Sequence, residues 1–202
     1  MRHSLFILGS LVSSLSFANT YTLDKAHSNI GFRVRHLMIS YVNGNFTDFS
    51  GSFDLDNKNQ LTHLKATINV SSIDTKEPKR DEHLKSPEFF DAQKFSTMEF
   101  VGEKVTYTKN QVTKIIGKLT MRGVTKPVTL NVEQSGPVKD PQGNDRIGFV
   151  AKTTVHREDF GLSYNKVLEA GGVAIGKDVE ITIDGEAMSA KPAEVVPTGT
   201  KK

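Results

Sequence analysis

Ile30-Gly31-Phe32-Arg33-Val34-Arg35-His36 sets an apolar or ring-bearing side chain at every second position, with glycine or arginine between. A period of two places the first set on one face of a pleated strand and the second set on the other. Phe32 and Val34 are therefore expected to face inward, with His36 on their side and Arg33 and Arg35 turned away. The same alternation returns along the chain. Leu64, Ala66, Ile68 and Val70 alternate with Lys65, Thr67 and Asn69, and Val128, Leu130 and Val132 alternate with Thr129 and Asn131. Phe149, Ala151, Thr153 and Val155 follow, then Val179, Ile181 and Ile183. Further strands are expected over 46–55, 95–101 and 111–121.

Turn-forming residues separate these runs: Asp56-Asn57-Lys58-Asn59, Lys109-Asn110, Arg122-Gly123 and Asp140-Pro141-Gln142-Gly143-Asn144. About eight antiparallel strands joined mostly by hairpins mean an all-β sandwich or a closed barrel. Glycine within or beside several runs, as at Gly44 and Gly117, permits the bulges and bends that closure needs, which favours the barrel. An eight-stranded barrel is just wide enough to fill itself with side chains or to hold one small ligand.

One segment breaks the pattern. Arg80-Asp81-Glu82-His83-Leu84-Lys85 is helix-compatible, with Glu77-Pro78 at its start, acidic residues early and Ser86-Pro87 at its end. Glu88-Phe89-Phe90-Asp91-Ala92 then opens a second short turn. Leu84, Phe89 and Phe90 are expected to form its buried face and the charges its solvated one. The segment reads as a short helix between early strands, covering one end of the barrel.

Residues 1–18 carry Arg2, an apolar run from Leu5 to Phe17, and Ser16-Phe17-Ala18 before Asn19, the pattern of a cleaved signal peptide. The run is interrupted by Gly9, Ser10, Ser13 and Ser14 and is shorter than the roughly 20 residues of a membrane span. No cysteine stands at the cleavage point, which excludes a lipoprotein anchor. Residues 189–202, with Pro192, Pro197, Gly199 and two terminal lysines, read as a disordered tail. The domain is thus expected over 19–188, in an exported protein of the periplasm or the exterior.

The whole chain has 26 Lys and Arg against 23 Asp and Glu, but Arg2, Lys191, Lys201, Lys202 and Glu194 lie in the two ends, leaving 22 of each sign. A balanced body lacks the basic stripe that nucleic-acid binding requires. With no cysteine, stability must come from an apolar core, for which this length is ample.

Several segments imitate chemical motifs. Gly171-Gly172-Val173-Ala174-Ile175-Gly176-Lys177 has the spacing of a phosphate loop, yet Asp178 replaces the Ser or Thr that would hold magnesium, and a strand follows rather than a helix. It reads as a glycine-rich hairpin or lid. Ser163-Tyr164-Asn165-Lys166 fits S-x-x-K, but S-D-N and K-T-G are absent. Asp54 to Asn59 lacks the acceptor and glycine of a calcium loop. Asp81, Glu82 and His83 are consecutive on a helix and cannot converge on one ion. No catalytic set, metal site or cofactor is expected. What remains is apolar: of 12 phenylalanines, all but Phe6 and Phe17 lie beyond residue 18. They either fill a core or line a cavity, and alternation does not separate the two.

Asp24 to His36, Phe46 to Phe53, Ser72-Ile73-Asp74-Thr75 with Arg80 to Ala92, Gly117 to Thr125, and Arg157-Glu158-Asp159-Phe160-Gly161-Leu162 resemble, in order, the motifs of the YceI-like family. The likeness spans residues 21–187. It implies a lipocalin-like eight-stranded antiparallel barrel, exported by bacteria, that encloses a long-chain amphiphile: a polyisoprenoid, an isoprenoid quinone, or a fatty amide or acid. On that footing the expected ligand-binding residues are Phe32, Val34, His36, Phe46, Phe53, Ile68, Phe89, Phe90, Met98, Phe100, Leu119, Met121 and Phe149. Arg157 and Asp159 are expected to pair as a clasp on the rim. The resemblance also allows a homodimer, although no stripe in this chain marks an interface. Binding without catalysis leads. An enzyme acting on a lipid in the same cavity, or a secreted structural domain with a filled core, are the alternatives.

Overall fold

The computed structural model describes residues 19–167 and 171–189. The leader expected over 1–18 lies outside them, as does the tail from residue 190. Ser189 is still paired with Tyr21. In chain order the elements are β1 (Asn19–Leu23), β2 (Asn29–His36), β3 (Ser40–Phe46), β4 (Phe49–Leu55), β5 (Leu61–Asn69), β6 (Ile73–Asp74), α1 (Pro78–Lys85), β7 (Thr97–Thr108), β8 (Gln111–Met121), β9 (Val124–Lys139), β10 (Asp145–His156) and β11 (Ile175–Ser189). No helix among the described residues is long and apolar enough to cross a membrane.

All pairings within the sheet are antiparallel, and β1 closes it by pairing with both β4 and β11. The 11 assigned strands act as the eight staves of a closed barrel, because three staves are kinked. β2 continues β1 after one 3-10 turn, and both pair with β11. β4 continues β3 after Thr47 and Asp48, and β6 continues β5 after a 3-10 turn at Val70–Ser72. The three kinks are tied side by side: the Asp48 carboxylate accepts from Lys25 Nζ at 2.7 Å and from Asn69 Nδ2 at 3.0 Å. Such a level of kinks bends neighbouring staves together and rounds the sheet.

The helix and the turns fall where the sequence placed them. Glu77 caps α1 by accepting from Lys79 N, and Pro78 occupies the first turn. Lys109-Asn110 and Arg122-Gly123 both take positive φ in two-residue hairpins, the torsions that match strand twist. Along each stave the inward residues build two apolar clusters. The larger runs from Val112 and Ile115 up to Phe89, Phe160 and Leu162. The smaller, with Tyr21, Phe53, Ile147 and Ala187, plugs one end of the barrel.

Beside that plug, Arg146 donates to Asp24 at 2.7 Å, to Glu186 at 3.0 Å and to Asp140 at 3.0 Å. Asp24, His27 and Glu186 come close enough together to suggest a cation site, but Arg146 already answers both carboxylates. The Arg146 hydrogen bond, with a smaller share from His27, holds the Asp24 carboxyl down at about 2. Its folded value lies below the unfolded one, so this stabilisation is complete above the ordinary carboxylate range and fades as pH falls toward 2. Arg146→Met is expected to lower the melting temperature at neutral pH and to flatten its fall in acid. Thermal melts across the acid range check this, and parallel curves for the two proteins would refute it.

Candidate ligand cavity

Above the plug the barrel is hollow. A cavity of about 490 Å³ runs from Phe149 and Ile183 toward the opposite mouth, within the size range of small-molecule sites. Its wall is built stave by stave from the inward set: Phe32 and Val34 on β2, Phe46 on β3, Ile68 on β5, Met98 and Phe100 on β7, Leu119 and Met121 on β8, and Phe149 on β10. His36 stands at the mouth end of β2, and Phe89 and Phe90 come from the turn after α1. Leu64, Ala66, Val128, Leu130, Val179 and Ile181, all on the inward set of an alternating run, also line the cavity.

Phe53 is placed elsewhere. It stacks on Tyr21, centroids 5.2 Å apart, inside the plug. Alternation assigns a side chain to a face but not to a height along the barrel, and Phe53 lies below the cavity floor.

Two glycines keep the hollow from filling. A Cβ on Gly44 would fall 2.4 Å from the Phe32 ring, and one on Gly117 would fall 2.5 Å from the Phe100 ring. Each ring lies over a glycine of the next stave, so it covers the wall where a side chain would otherwise push it into the lumen.

The mouth is partly roofed by α1 with its following turn and by Arg157, Leu162, Tyr164, Lys166, Ala174 and Ile175. Arg80 donates to the Thr75 hydroxyl at 2.7 Å and carbonyl at 2.8 Å, and Asp81 accepts from Thr75 N at 2.9 Å. The expectation of a fully solvated charged face is thus corrected: these two charges fasten α1 to the end of β6, because Thr75 is buried and its polar groups require partners. Arg122 bridges the two parts of the roof, donating to the carbonyls of Gly161 and Pro87 at 2.9 and 2.8 Å.

Arg157 does clasp the rim, but not through Asp159. Its guanidinium is buried and donates to the carbonyls of Gly176, Leu162 and Tyr164. Burial pushes its pKa down. Asn165 completes the clasp, bonding Ile175 through both its amide oxygen and its amide nitrogen. These contacts join residues on either side of an aperiodic loop, for which sequence spacing carries no signal.

His83 lines the cavity, with Nε2 2.5 Å from Glu88 Oε2 and its ring edge-on to Phe89 and Tyr164, each at 4.9 Å. Arg33 points outward to Glu180, as expected. Arg35 does not stay wholly outside: it stacks on Tyr41 yet also borders the cavity, where the β2–β11 register slips between Ile175 and Val179. The ionisable side chains bordering the cavity are therefore Arg35, His36, Arg80, His83, Arg157, Tyr164 and Lys166, with no carboxylate among the described lining residues. All belong to the mouth. The interior can desolvate an apolar chain, and the rim can face a polar end.

The YceI-like domain family matches residues 21–187. A UPF0312 protein of Staphylococcus aureus (strain MSSA476) is 38% identical over 169 residues, covering 82% of this chain and 95% of that protein. The crystal structure of a Campylobacter jejuni YceI protein is similar with a TM-score of 0.65 and 34% identity, covering 85% of this chain and 98% of that one. A domain from Saccharophagus degradans described as polyisoprenoid binding shares the fold, with a TM-score of 0.61 at 16% identity over 84% of this chain and 98% of its own.

Proposed function

The chain belongs to the YceI-like family, and on that premise we propose that it sequesters one long-chain amphiphile and carries it without converting it. The observation behind this reading is the lined, unfilled barrel: apolar from the plug upward, with polar groups gathered at one end. A polyisoprenoid, an isoprenoid quinone, or a fatty amide or acid suits that division. The tail lies along Phe149, Phe100 and Ile68 and the head sits near His36 and Lys166. Each buried CH₂ contributes about 0.8 kcal/mol. A chain of some 30 carbons would then exceed the practical ceiling of about 20 kcal/mol, so ordering of the chain must offset much of the sum. Met98 and Met121 in the wall adapt to varied tails. Export directed by residues 1–18, and pairing of two barrels, belong to the same proposal.

Calorimetric titration of lipid-free protein with isoprenoid alcohols and fatty amides of graded length tests it. Saturable one-to-one binding that tightens with chain length, with a negative heat-capacity change, is expected. Absence of saturable uptake at every length would defeat the carrier reading. His83, at the cavity mouth and held by Glu88 from outside the lining, supports a second, catalytic reading. Turnover of a bound lipid that is abolished by His83→Ala would favour it.

A further inference from the structure

We propose that the mouth docks on an anionic lipid bilayer through the tip of the β2–β3 hairpin, a proposal that rests on the cavity carrying a membrane-derived chain. The tip is Leu37-Met38-Ile39, with Met38 56% and Ile39 81% exposed. Leu37 and Met38 take φ of 50° and 62°, the left-handed region that side chains of their size avoid. The shorter, two-residue hairpin turns that also take positive φ, Lys109-Asn110 and Arg122-Gly123, carry polar residues and glycine. Local stability therefore does not account for large apolar residues here.

The tip is also in the right place. Leu37 N donates to Ala174 O at 2.8 Å, which sets the hairpin beside the roof segment that carries Val167, 83% exposed. Arg35, His36 and Lys166 directly precede these apolar residues in sequence, and all three border the cavity mouth. Val101 and Val138, the other exposed large apolar side chains among the described residues, lie on β7 and β9 and form no such group. Apolar tips that enter the acyl boundary, flanked by cations such as Arg35 and Lys166 that meet anionic head groups, are the physics of an interfacial anchor. Seating the opening on the bilayer lets the chain pass between membrane and barrel without crossing water.

Co-flotation with phosphatidylcholine vesicles, with and without about 30% phosphatidylglycerol, tests the proposal. Binding to the anionic vesicles that weakens with salt is expected. Met38→Asn/Ile39→Ser is expected to reduce it by about ten-fold or more. Asparagine and serine suit the turn, so the melting temperature should not fall, and uptake of an apolar dye from solution should be unchanged. Failure of the wild type to bind anionic vesicles, or equal binding by the variant, overturns the docking proposal while normal dye uptake leaves the cavity reading standing. Loss of dye uptake by the wild type would instead remove the cavity reading and the proposal together. A dimer that becomes a monomer in the variant would make the tip a contact between copies and overturn the bilayer proposal.

Discussion

Ala66→Phe is expected to abolish tight binding of a long apolar chain and to leave the barrel folded. Ala66 sits on β5 between Leu64 and Ile68, lines the cavity, and pairs with Phe100 on β7 and Gly51 on β4. A ring added there extends into the lumen rather than into packed side chains. Overpacking a filled core costs about 1–3 kcal/mol, whereas here the hollow accepts the ring and phenylalanine brings no polar atom to satisfy. The ring takes the place of roughly five CH₂ groups of the ligand, about 4 kcal/mol or some thousand-fold in affinity. Titration alongside a thermal melt checks both halves. Unchanged affinity would mean that the chain does not lie against β5.

The largest expected loss of stability is at Gly117. It is buried on β8, opposite Gly102 on β7 and Val128 on β9. A Cβ there would meet the Val101 carbonyl oxygen at 2.4 Å as well as the Phe100 ring. The ring could swing inward, but the carbonyl belongs to the ladder and cannot retreat without disrupting β7–β8. Gly117→Ala is expected to cost about 3 kcal/mol or more, which for a domain of this size lowers the melting temperature by about 10 °C. Gly148→Ala is the control, since its Cβ would meet only Ser135 Cβ at 3.7 Å. It should change stability by less than about 1 kcal/mol. Equal melting temperatures for the two variants would show that the wall is not built around Gly117.

The two substitutions draw on different parts of the sequence. The staves were legible because period two survives wherever one face is apolar, as along β2, β5 and β11. The kinks were not. Tyr41-Val42-Asn43-Gly44-Asn45 on β3 carries too many turn-forming residues to read as strand, and only its pairing with β2 makes it one. Likewise residues 133–139 extend β9 along β10 although most of them are exposed. For the cavity, alternation identifies the wall but not the floor, which is why it assigns Phe53 to the wall although the side chain packs with Tyr21 below it. The roof was least legible: Arg157 acts through backbone carbonyls, and Tyr164 and Lys166 lie on a loop with no period. Gly44 and Gly117 were visible as glycines, but that each accommodates a phenylalanine ring depends on cross-strand register.

The claim that the barrel encloses a long chain is tested most directly by extracting the protein, purified without detergent from cells that make it, and identifying the extract by mass spectrometry. A long-chain amphiphile in near-stoichiometric amount, absent from the extract of Ala66→Phe, is the predicted result. Repeatedly empty extracts, from protein that also takes up no isoprenoid or fatty amide when they are added, would contradict it.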